Sequence, residues 1–190
     1  MKSYSIFIAT LILWLAAGCS NAPKATYTIE GKVTLPALDG RTVYIQDALV
    51  GNIRYDSAVV THGIFRFEGT QSEPVVRECF IQENDSDMFP VTLPFVLEAG
   101  RIEADLGERV YVGNTPLNKE MMDVLMAIDH FRDQDFTGST IEDINSAFVT
   151  CIIEQIVKHS NNLIGKYLFD AYQSKLTEDQ KAQMRKTLGI

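Results

Sequence analysis

Apolar and polar residues alternate along much of the first half of the chain, a pattern that predicts β-strands with one buried and one solvated face. The longest such segment runs from Tyr27 to Leu35 and ends at Pro36. Shorter segments follow at regular intervals, and Gly, Pro or Asp separates most of them. We therefore expect strands at residues 27–35, 43–47, 55–60, 64–68, 75–82, 91–98, 102–106 and 110–112.

Two local signals refine this pattern. His62-Gly63 separates the third and fourth predicted strands, and Gly63 can supply the positive φ of a tight turn, so we expect a hairpin there. Pro94 falls inside the sixth predicted strand, where its missing N–H favours a sheet edge or a bulge. Short strands in series, without intervening helices, are typical of an antiparallel sandwich or an open barrel.

The hydrophobic period becomes helical at Thr115, and apolar residues from Leu117 to Phe131 form one stripe. Thr115-Pro116 is typical of a helix cap followed by proline in the first turn. Later in the chain, capping residues and capping boxes indicate three more helix starts. We expect these helices to be capped at Ser139 (with Glu142), Asn162 and Thr177 (with Gln180).

The first residues have the pattern of a bacterial lipoprotein signal. Lys2 precedes an apolar run that is too short to span a bilayer comfortably as a helix, which needs about 20 apolar residues. The run ends in Leu15-Ala16-Ala17-Gly18-Cys19, where small residues lead directly to a cysteine. We expect cleavage after Gly18 and acylation of the Cys19 thiol, although Ala16 stands where this motif prefers leucine.

These patterns predict four successive segments. Residues 1–18 are the expected signal peptide, and residues 19–25 are a short polar tether. Residues 26–114 are the expected β-sandwich, and residues 115–190 are the helical region. The predicted fold class is therefore α+β, an antiparallel β-sandwich of about eight strands followed by a C-terminal helical region.

Charge narrows the range of partners. The full chain has a formal net charge of −8, and loss of Lys2 with the signal makes the balance more acidic. Nucleic-acid binding requires clustered Lys and Arg, so we expect no nucleic-acid partner. We expect the acyl chains on Cys19 to anchor the protein in a membrane of the cell envelope. Because no acidic run follows Cys19, we expect the protein to face the periplasm, at the outer membrane in preference to the inner.

Two further cysteines follow Cys19. Cys79 and Cys151 lie far apart in the sequence among apolar residues, and the Cys-x-x-Cys motif of thioredoxin-like redox sites does not occur. We expect both to be free, buried thiols. A disulfide between them is the alternative, because an oxidising compartment permits one.

Other chemically capable residues lack the spacing of known sites. Glu83, Asp85 and Asp87 share a loop without the glycine and distal glutamate of a calcium loop. The histidines lack the i, i+4 spacing of a helical zinc pair, and a solvated helix face explains the aspartates around His130. The residues concerned are His62, His130, His159, Asp123, Asp129 and Asp133. We therefore expect no metal site, no cofactor and no enzymatic activity.

Carbohydrate binding is a separate alternative. Sugar sites place aromatic rings against the ligand, with Trp foremost. The only tryptophan, Trp14, lies in the expected signal, so tyrosines are the remaining candidates. They are Tyr27, which we expect to face the core, Tyr44, Tyr55 and Tyr111. This composition disfavours a glycan site.

Six short segments, taken in order along the chain, resemble one known family. They are Tyr27–Val33, Val43–Asp47, Asp56–Ala58, His62–Phe67, Leu97–Gly100 and Gly113–Asn118. The family is the uncharacterised lipoprotein domain that precedes the thioredoxin-like domain in Bacteroidetes envelope thiol–disulfide oxidoreductases. His62 and Ala99 depart from its pattern, which has Asp or Asn and proline at these positions. The sequence ends at Ile190, about where the thioredoxin-like domain would begin, so the resemblance transfers no catalytic residue.

The resemblance and the missing catalytic motifs lead to one functional expectation. We expect a lipid-anchored, non-enzymatic binding or scaffolding module of the cell envelope. The resemblance further implies that this module acts in trans with thioredoxin-like oxidoreductases. The alternative is an envelope lipoprotein that binds a glycan or another small ligand.

Overall fold

The structure, a computed structural model, describes residues 25–84 and 90–190, in which eight strands precede four helices. The strands are β1 (Ala25–Val33), β2 (Thr42–Asp47), β3 (Arg54–Val59), β4 (Ile64–Gln71), β5 (Val75–Ile81), β6 (Val91–Leu97), β7 (Gly100–Leu106) and β8 (Tyr111–Gly113). The helices are α1 (Pro116–Arg132), α2 (Ile141–Lys158), α3 (Leu163–Tyr172) and α4 (Glu178–Leu188). Short 3-10 turns occur at Pro36–Leu38 and Gln173–Lys175. This order confirms the predicted α+β class.

The strands form two four-stranded sheets. The first sheet has the order β4-β1-β7-β8, and the second sheet has the order β3-β2-β5-β6. Neighbouring strands are antiparallel except for β1 and β7, which run parallel with Tyr27 beside Gly100. The sandwich is therefore mostly antiparallel, as predicted, and β1–β7 is the one parallel pair among the described strands. The cause is the short turn Glu98-Ala99, which carries the chain from the end of β6 into the first sheet at the end where β1 begins.

Alternate side chains of both sheets are buried in one hydrophobic core. Among the most buried are Ile29, Ile45, Ile81, Leu93 and Ile102, each at most 1% exposed. The same cluster includes apolar residues of all four helices. The helical region therefore shares its core with the two sheets.

The helices pack along one side of the sandwich. α1 lies against β6 and β8, which are edge strands of the two sheets, and α3 lies against β5. α2 contacts each of the other three helices. Within residues 25–84 and 90–190, no helix has the length and apolar character needed to cross a membrane.

The tight turn at His62-Gly63 forms, but the hairpin predicted around it does not. Both residues have positive φ, 52° for His62 and 72° for Gly63, and Thr61 and Ile64 pair across the turn. Beyond this pair the strands separate, because β3 joins β2 in the second sheet and β4 joins β1 in the first. The turn therefore links the two sheets. Pro94 lies on β6, an edge strand, as predicted.

The caps of the three helices after α1 follow the predictions with one shift. Asn162 caps α3 through its side chain, and Thr177 forms the predicted capping box with Gln180 at the start of α4. The box predicted at Ser139 is wrong by one residue, because the reciprocal hydrogen bonds of the cap join Thr140 and Asp143. The shift does not change the helix that follows.

Gly31 on β1 provides a test of the core. It pairs with Phe65 on β4, and the Phe65 ring lies over the place that a Cβ atom would occupy. We predict that Gly31→Ala lowers the free energy of unfolding by about 1–3 kcal/mol, because the added methyl group overpacks a buried ring. Urea unfolding measures this change.

Gly51 is the matched control for this substitution. It lies in a loop with open space where a Cβ would stand, so Gly51→Ala should change stability by no more than about 0.5 kcal/mol. If the two variants unfold at the same urea concentration as each other, the proposed packing of Phe65 on Gly31 is incorrect.

Candidate functional site

A cleft of about 230 Å³ lies where the second sheet meets α1 and α3. Its sheet wall includes Glu78 and Pro94, and its helical walls combine apolar residues with polar ones. The apolar residues on these walls are Met121, Val124, Leu125, Ile128 and Leu168. We call this site the interlayer cleft. It is smaller than the ~300–1,000 Å³ of drug-sized ligand sites, so it suits a fragment-sized molecule.

The position of α1 determines one wall of the cleft. This position depends on the residues that bind the backbone at the start of α1. Helix N-termini leave backbone N–H groups without an intrahelical acceptor. The Glu98 Oε1 atom accepts from the N–H groups of Leu117 and Asn118, at 2.9 and 3.1 Å. A carboxylate is also favoured there by the helix dipole.

Thr115 stands at the predicted cap position but does not cap the helix backbone. Its hydroxyl accepts from the Asn118 side chain at 2.8 Å, and Glu98 supplies the cap instead. The Asn118 side chain also bonds to the edge strand β6, accepting from Val96 N–H at 2.8 Å and donating to Val96 C=O at 2.7 Å. Asn118 is fully buried. We call Glu98 and Asn118 the β6–α1 clamp, because together they join the edge strand to the helix.

Glu78 is the main titratable group on the sheet wall of the interlayer cleft. Its Oε1 atom accepts a hydrogen bond from Gln46 Nε2 at 2.8 Å. Burial raises the pKa of Glu78, and the hydrogen bond from Gln46 opposes this effect. Among the described residues, no basic side chain lies within ion-pair distance of Glu78.

Two tyrosines and one ion pair complete the polar part of the cleft. Burial raises the pKa of Tyr167, and nearby Tyr172 and Glu78 raise it further. Burial also raises the pKa of Tyr172, while the Arg132 guanidinium lowers it. Both phenols therefore keep their protons at neutral pH and can donate hydrogen bonds. Arg132 pairs with Asp129 at 3.4 Å. The cleft thus combines hydrogen-bonding groups with apolar walls.

The aspartates around His130 do not converge on one site. Asp123 pairs with Lys158 at 3.6 Å, and Asp133 pairs with Arg109 at 3.9 Å. Asp129 pairs with Arg132 and also lines the interlayer cleft. His130 is exposed on α1.

The other histidines and the acidic loop are placed separately. His62 occupies the tight turn, whereas His159 is buried, with its Nδ1 atom 3.0 Å from Glu120 Oε2. Asp85 and Asp87 lie outside the described residues, so the loop that includes Glu83 stays a prediction. Residues 25–84 and 90–190 contain no group of three or more His, Cys, Asp or Glu side chains suited to a metal ion.

The two cysteines after the expected anchor are free thiols in different environments. Cys79 is fully buried, and burial raises its pKa to about 12. Cys151 is only half-buried on α2, and burial raises its pKa as well. The expectation of two buried thiols is therefore correct for Cys79 and wrong for Cys151, which borders a shallow groove between α1 and α2. Cys19 lies outside the described residues.

The tyrosines weighed for sugar binding are mostly engaged. The Arg54 guanidinium lies 3.7 Å from the centre of the Tyr44 ring, and the Arg77 guanidinium lies 4.0 Å from that of Tyr55. Tyr27 is half-buried and covers Gly69, whereas Tyr111 is exposed. A sugar stacked on Tyr44 or Tyr55 would have to displace an arginine from a ring face.

Sequence reasoning did not identify the interlayer cleft. Its polar residues come from β5, β6, α1 and α3, and the two helices are far from the two strands in the chain. One signal was available: Glu78 is a charged residue inside a predicted strand that is otherwise rich in apolar residues. The two residues of the β6–α1 clamp, Glu98 and Asn118, lie in two of the segments that carry the family resemblance. The sequence does not show that they join β6 to α1, because this contact forms only in the fold.

Glu78 makes stability depend on pH in a defined direction. Because burial raises its pKa in the folded protein above the ordinary value of 4.5, the folded state holds this proton more tightly than the unfolded chain does. The resulting stabilisation is present below pH 4.5 and is lost as the pH rises through the folded-state pKa. We predict that Glu78→Gln, which does not titrate, gains stability relative to the natural protein between about pH 4 and about pH 7.

Urea midpoints measured across this pH range test the prediction. Glu73→Gln is the control, because Glu73 is exposed in the turn between β4 and β5 and its substitution should not show this trend. A stability difference between Glu78→Gln and the natural protein that stays constant with pH would show that Glu78 is not desolvated in the folded state.

Comparison with known proteins places this fold in a family. No curated protein matches the chain. A family model described as a domain of unknown function, DUF4369, matches residues 27–121, which is half of the chain. The match covers almost all of the β-sandwich, both residues of the β6–α1 clamp and the first turns of α1. The chain therefore belongs to the DUF4369 family of domains of unknown function.

Proposed function

We propose that this protein is a lipid-anchored, non-enzymatic binding module of the cell envelope, and that the interlayer cleft is its ligand site. The observation that supports a ligand site most directly is the Glu78 carboxylate. It is half-buried in a cleft that is lined by both apolar and polar residues, and it has one hydrogen bond, from Gln46, but no basic partner among the described residues.

An unpaired carboxylate in such a place lowers stability, because burial disfavours its charged form. Ionisable groups that burial perturbs concentrate at functional sites. We propose that a ligand supplies the partner that Glu78 lacks. An ammonium or hydroxyl group on a ligand would donate to Glu78, while an apolar portion would contact Val124, Leu125 and Leu168. The proposed ligand is therefore a small molecule with an amine or hydroxyl group at one end and an apolar body.

The arrangement of the cleft favours binding over catalysis. Arg132 is already paired with Asp129, and the raised pKa values of Tyr167 and Tyr172 make their phenols hydrogen-bond donors at neutral pH, not bases. The glycan alternative uses the same cleft, because sugar hydroxyls can also donate to Glu78. A neutral sugar fragment therefore belongs in any ligand screen.

The anchoring part of the proposal rests on the sequence around Cys19. Cleavage after Gly18 would make Cys19 the first residue, and its acyl chains would hold the protein at the envelope membrane, facing the periplasm. The same location is implied by the resemblance to the domains that precede thioredoxin-like oxidoreductases in Bacteroidetes.

A partnership with a thioredoxin-like oxidoreductase is the finer part of the proposal. Its support is the family resemblance together with the state of the two thiols. Cys79 is buried and Cys151 is on a different element, so the pair does not form the adjacent dithiol of a redox site. Any thiol–disulfide chemistry associated with this module would therefore come from the partner.

Ligand binding is tested by thermal unfolding with a panel of short aliphatic amines, polyols and monosaccharides. A ligand that binds only the folded state raises the Tm. We predict that an amine or hydroxyl compound raises it, and that Glu78→Gln weakens binding about tenfold or more, since a hydrogen bond to a charged group contributes about 1.5–3 kcal/mol. Glu73→Gln should bind as the natural protein does. No response to any compound, or equal responses in all three proteins, would contradict the proposed site.

Anchoring and partnership are tested by purifying the full chain from the membrane of its own cells. We predict an intact mass that shows cleavage before Cys19 and acylation of its thiol, and Cys19→Ser should lose both the acyl mass and membrane attachment. We also predict that a thiol–disulfide oxidoreductase is recovered with the acylated protein. An unmodified Cys19 would contradict the anchor. Recovery of the acylated protein with no thiol–disulfide oxidoreductase bound to it would contradict the partnership.

A further inference from the structure

A cluster of exposed apolar side chains lies at the start of β3 and in the loop before it. Leu49, Val50, Ile53 and Tyr55 are each about half exposed, at 49%, 56%, 46% and 51%. We call these four residues the apolar tip. Single exposed apolar residues are ordinary on a protein surface, but several within one short loop mark an interaction site.

The loop that bears the apolar tip has a defined local structure. The Asp47 carboxylate accepts hydrogen bonds from the N–H groups of Leu49 and Val50, both at 3.0 Å, and from the Tyr55 hydroxyl at 3.1 Å. Arg77 also pairs with Asp47 at 3.3 Å. These contacts hold the exposed apolar residues in one place.

The sheet register puts the apolar tip at the end of the sandwich where the described chain begins. Ala25, the first residue of β1, pairs with Gln71, three residues before Pro74. Pro74 and Val75 line the same surface depression as Leu49. The loop therefore lies at the end of the molecule from which the chain leads back towards Cys19.

The distance to the expected anchor is short. Six peptide units connect Cys19 to Ala25, and a fully extended chain of this length reaches only about 20 Å. An acylated Cys19 would therefore hold this end of the sandwich, and not the opposite end, close to the bilayer.

The chemistry beside the apolar tip also suits a bilayer surface. Arg54 and Arg77 lie against the rings of Tyr44 and Tyr55. Tyrosine is enriched at membrane interfaces, where its ring is apolar and its hydroxyl is hydrated, and arginine places its charged head at the level of the lipid headgroups. This end of the molecule thus has apolar side chains at its tip, with the Arg54 guanidinium and the Arg77–Asp47 ion pair behind them.

From these observations we infer that the apolar tip inserts into the interface of the membrane that anchors Cys19. The inference rests on the lipid anchor of the proposed function and adds a second membrane contact that fixes the orientation of the domain. Membrane attachment by acyl chains is strengthened by a second signal of this kind. α1 starts beside Glu98 at the same end and runs away from it, so its last residue, Arg132, and the adjoining part of the interlayer cleft lie away from the membrane.

The test uses tryptophan as a depth probe in the full chain. The only natural tryptophan is Trp14, in the expected signal, so the processed protein has no competing emission. Val50→Trp places the probe in the apolar tip. Val59→Trp is the matched control, because Val59 is 58% exposed at the opposite end of the same strand. Ile53→Trp is a second tip variant, which guards against a local effect of the first.

Each acylated variant is reconstituted into vesicles of phosphatidylethanolamine and phosphatidylglycerol with brominated acyl chains. We expect the emission of the Val50→Trp and Ile53→Trp proteins to shift to the blue and to be quenched by bromine. The Val59→Trp protein should show neither change.

The outcomes that overturn the inference are distinct from one another. If the variants float with the vesicles and the tip probes are quenched no more than the Val59→Trp probe, the anchor stands and the insertion is wrong. If the tip probes shift to the blue with protein concentration and without bromine quenching, a second copy of the chain covers the tip instead. If the protein does not float, the lipid anchor and the inference both fail.

Discussion

The arrangement of this protein depends on the hydrogen bonds of the β6–α1 clamp. The Asn118 side chain satisfies both backbone groups of Val96 on an edge strand, and Glu98 satisfies two N–H groups at the start of α1. All these groups are at least partly buried, where an unpaired donor or acceptor costs about 1–3 kcal/mol. The clamp therefore fixes both where the helix begins and the direction in which it leaves the sheet.

The interlayer cleft is a consequence of that placement. α1 lies along the edges of both sheets, and α3 lies on β5, so a space remains between them above Glu78. Hydrophobic packing closes most of the boundary, as the shared core shows. The space that stays open is lined by both apolar and polar residues, and burial disfavours the charged form of the Glu78 carboxylate in its wall. The same contacts that stabilise the fold thus create the site for which we propose a ligand.

The sequence predicted where the strands and helices lie better than it predicted which of them pair or contact one another. Alternation located the strands, and capping residues such as Asn162 and Thr177 located helix starts, because both signals are local. The parallel pairing of β1 with β7 and the capping of α1 by Glu98 depend on contacts between distant parts of the chain. The cleft escaped prediction for the same reason, since β5, α1 and α3 meet only in the folded protein.

Native-state hydrogen exchange tests most directly whether the clamp joins the sheets and helices into one cooperative unit. The account predicts that the amide protons of Val96, Leu117 and Asn118 exchange only through global unfolding, with the same free energy as the amide of Ile29 in the core of the first sheet. The opposite result would be exchange of the amides of α1 to α4 through a lower-energy opening while both sheets stay protected. That result would show that the helices detach without the sandwich, and that the cleft between them is not a stable site.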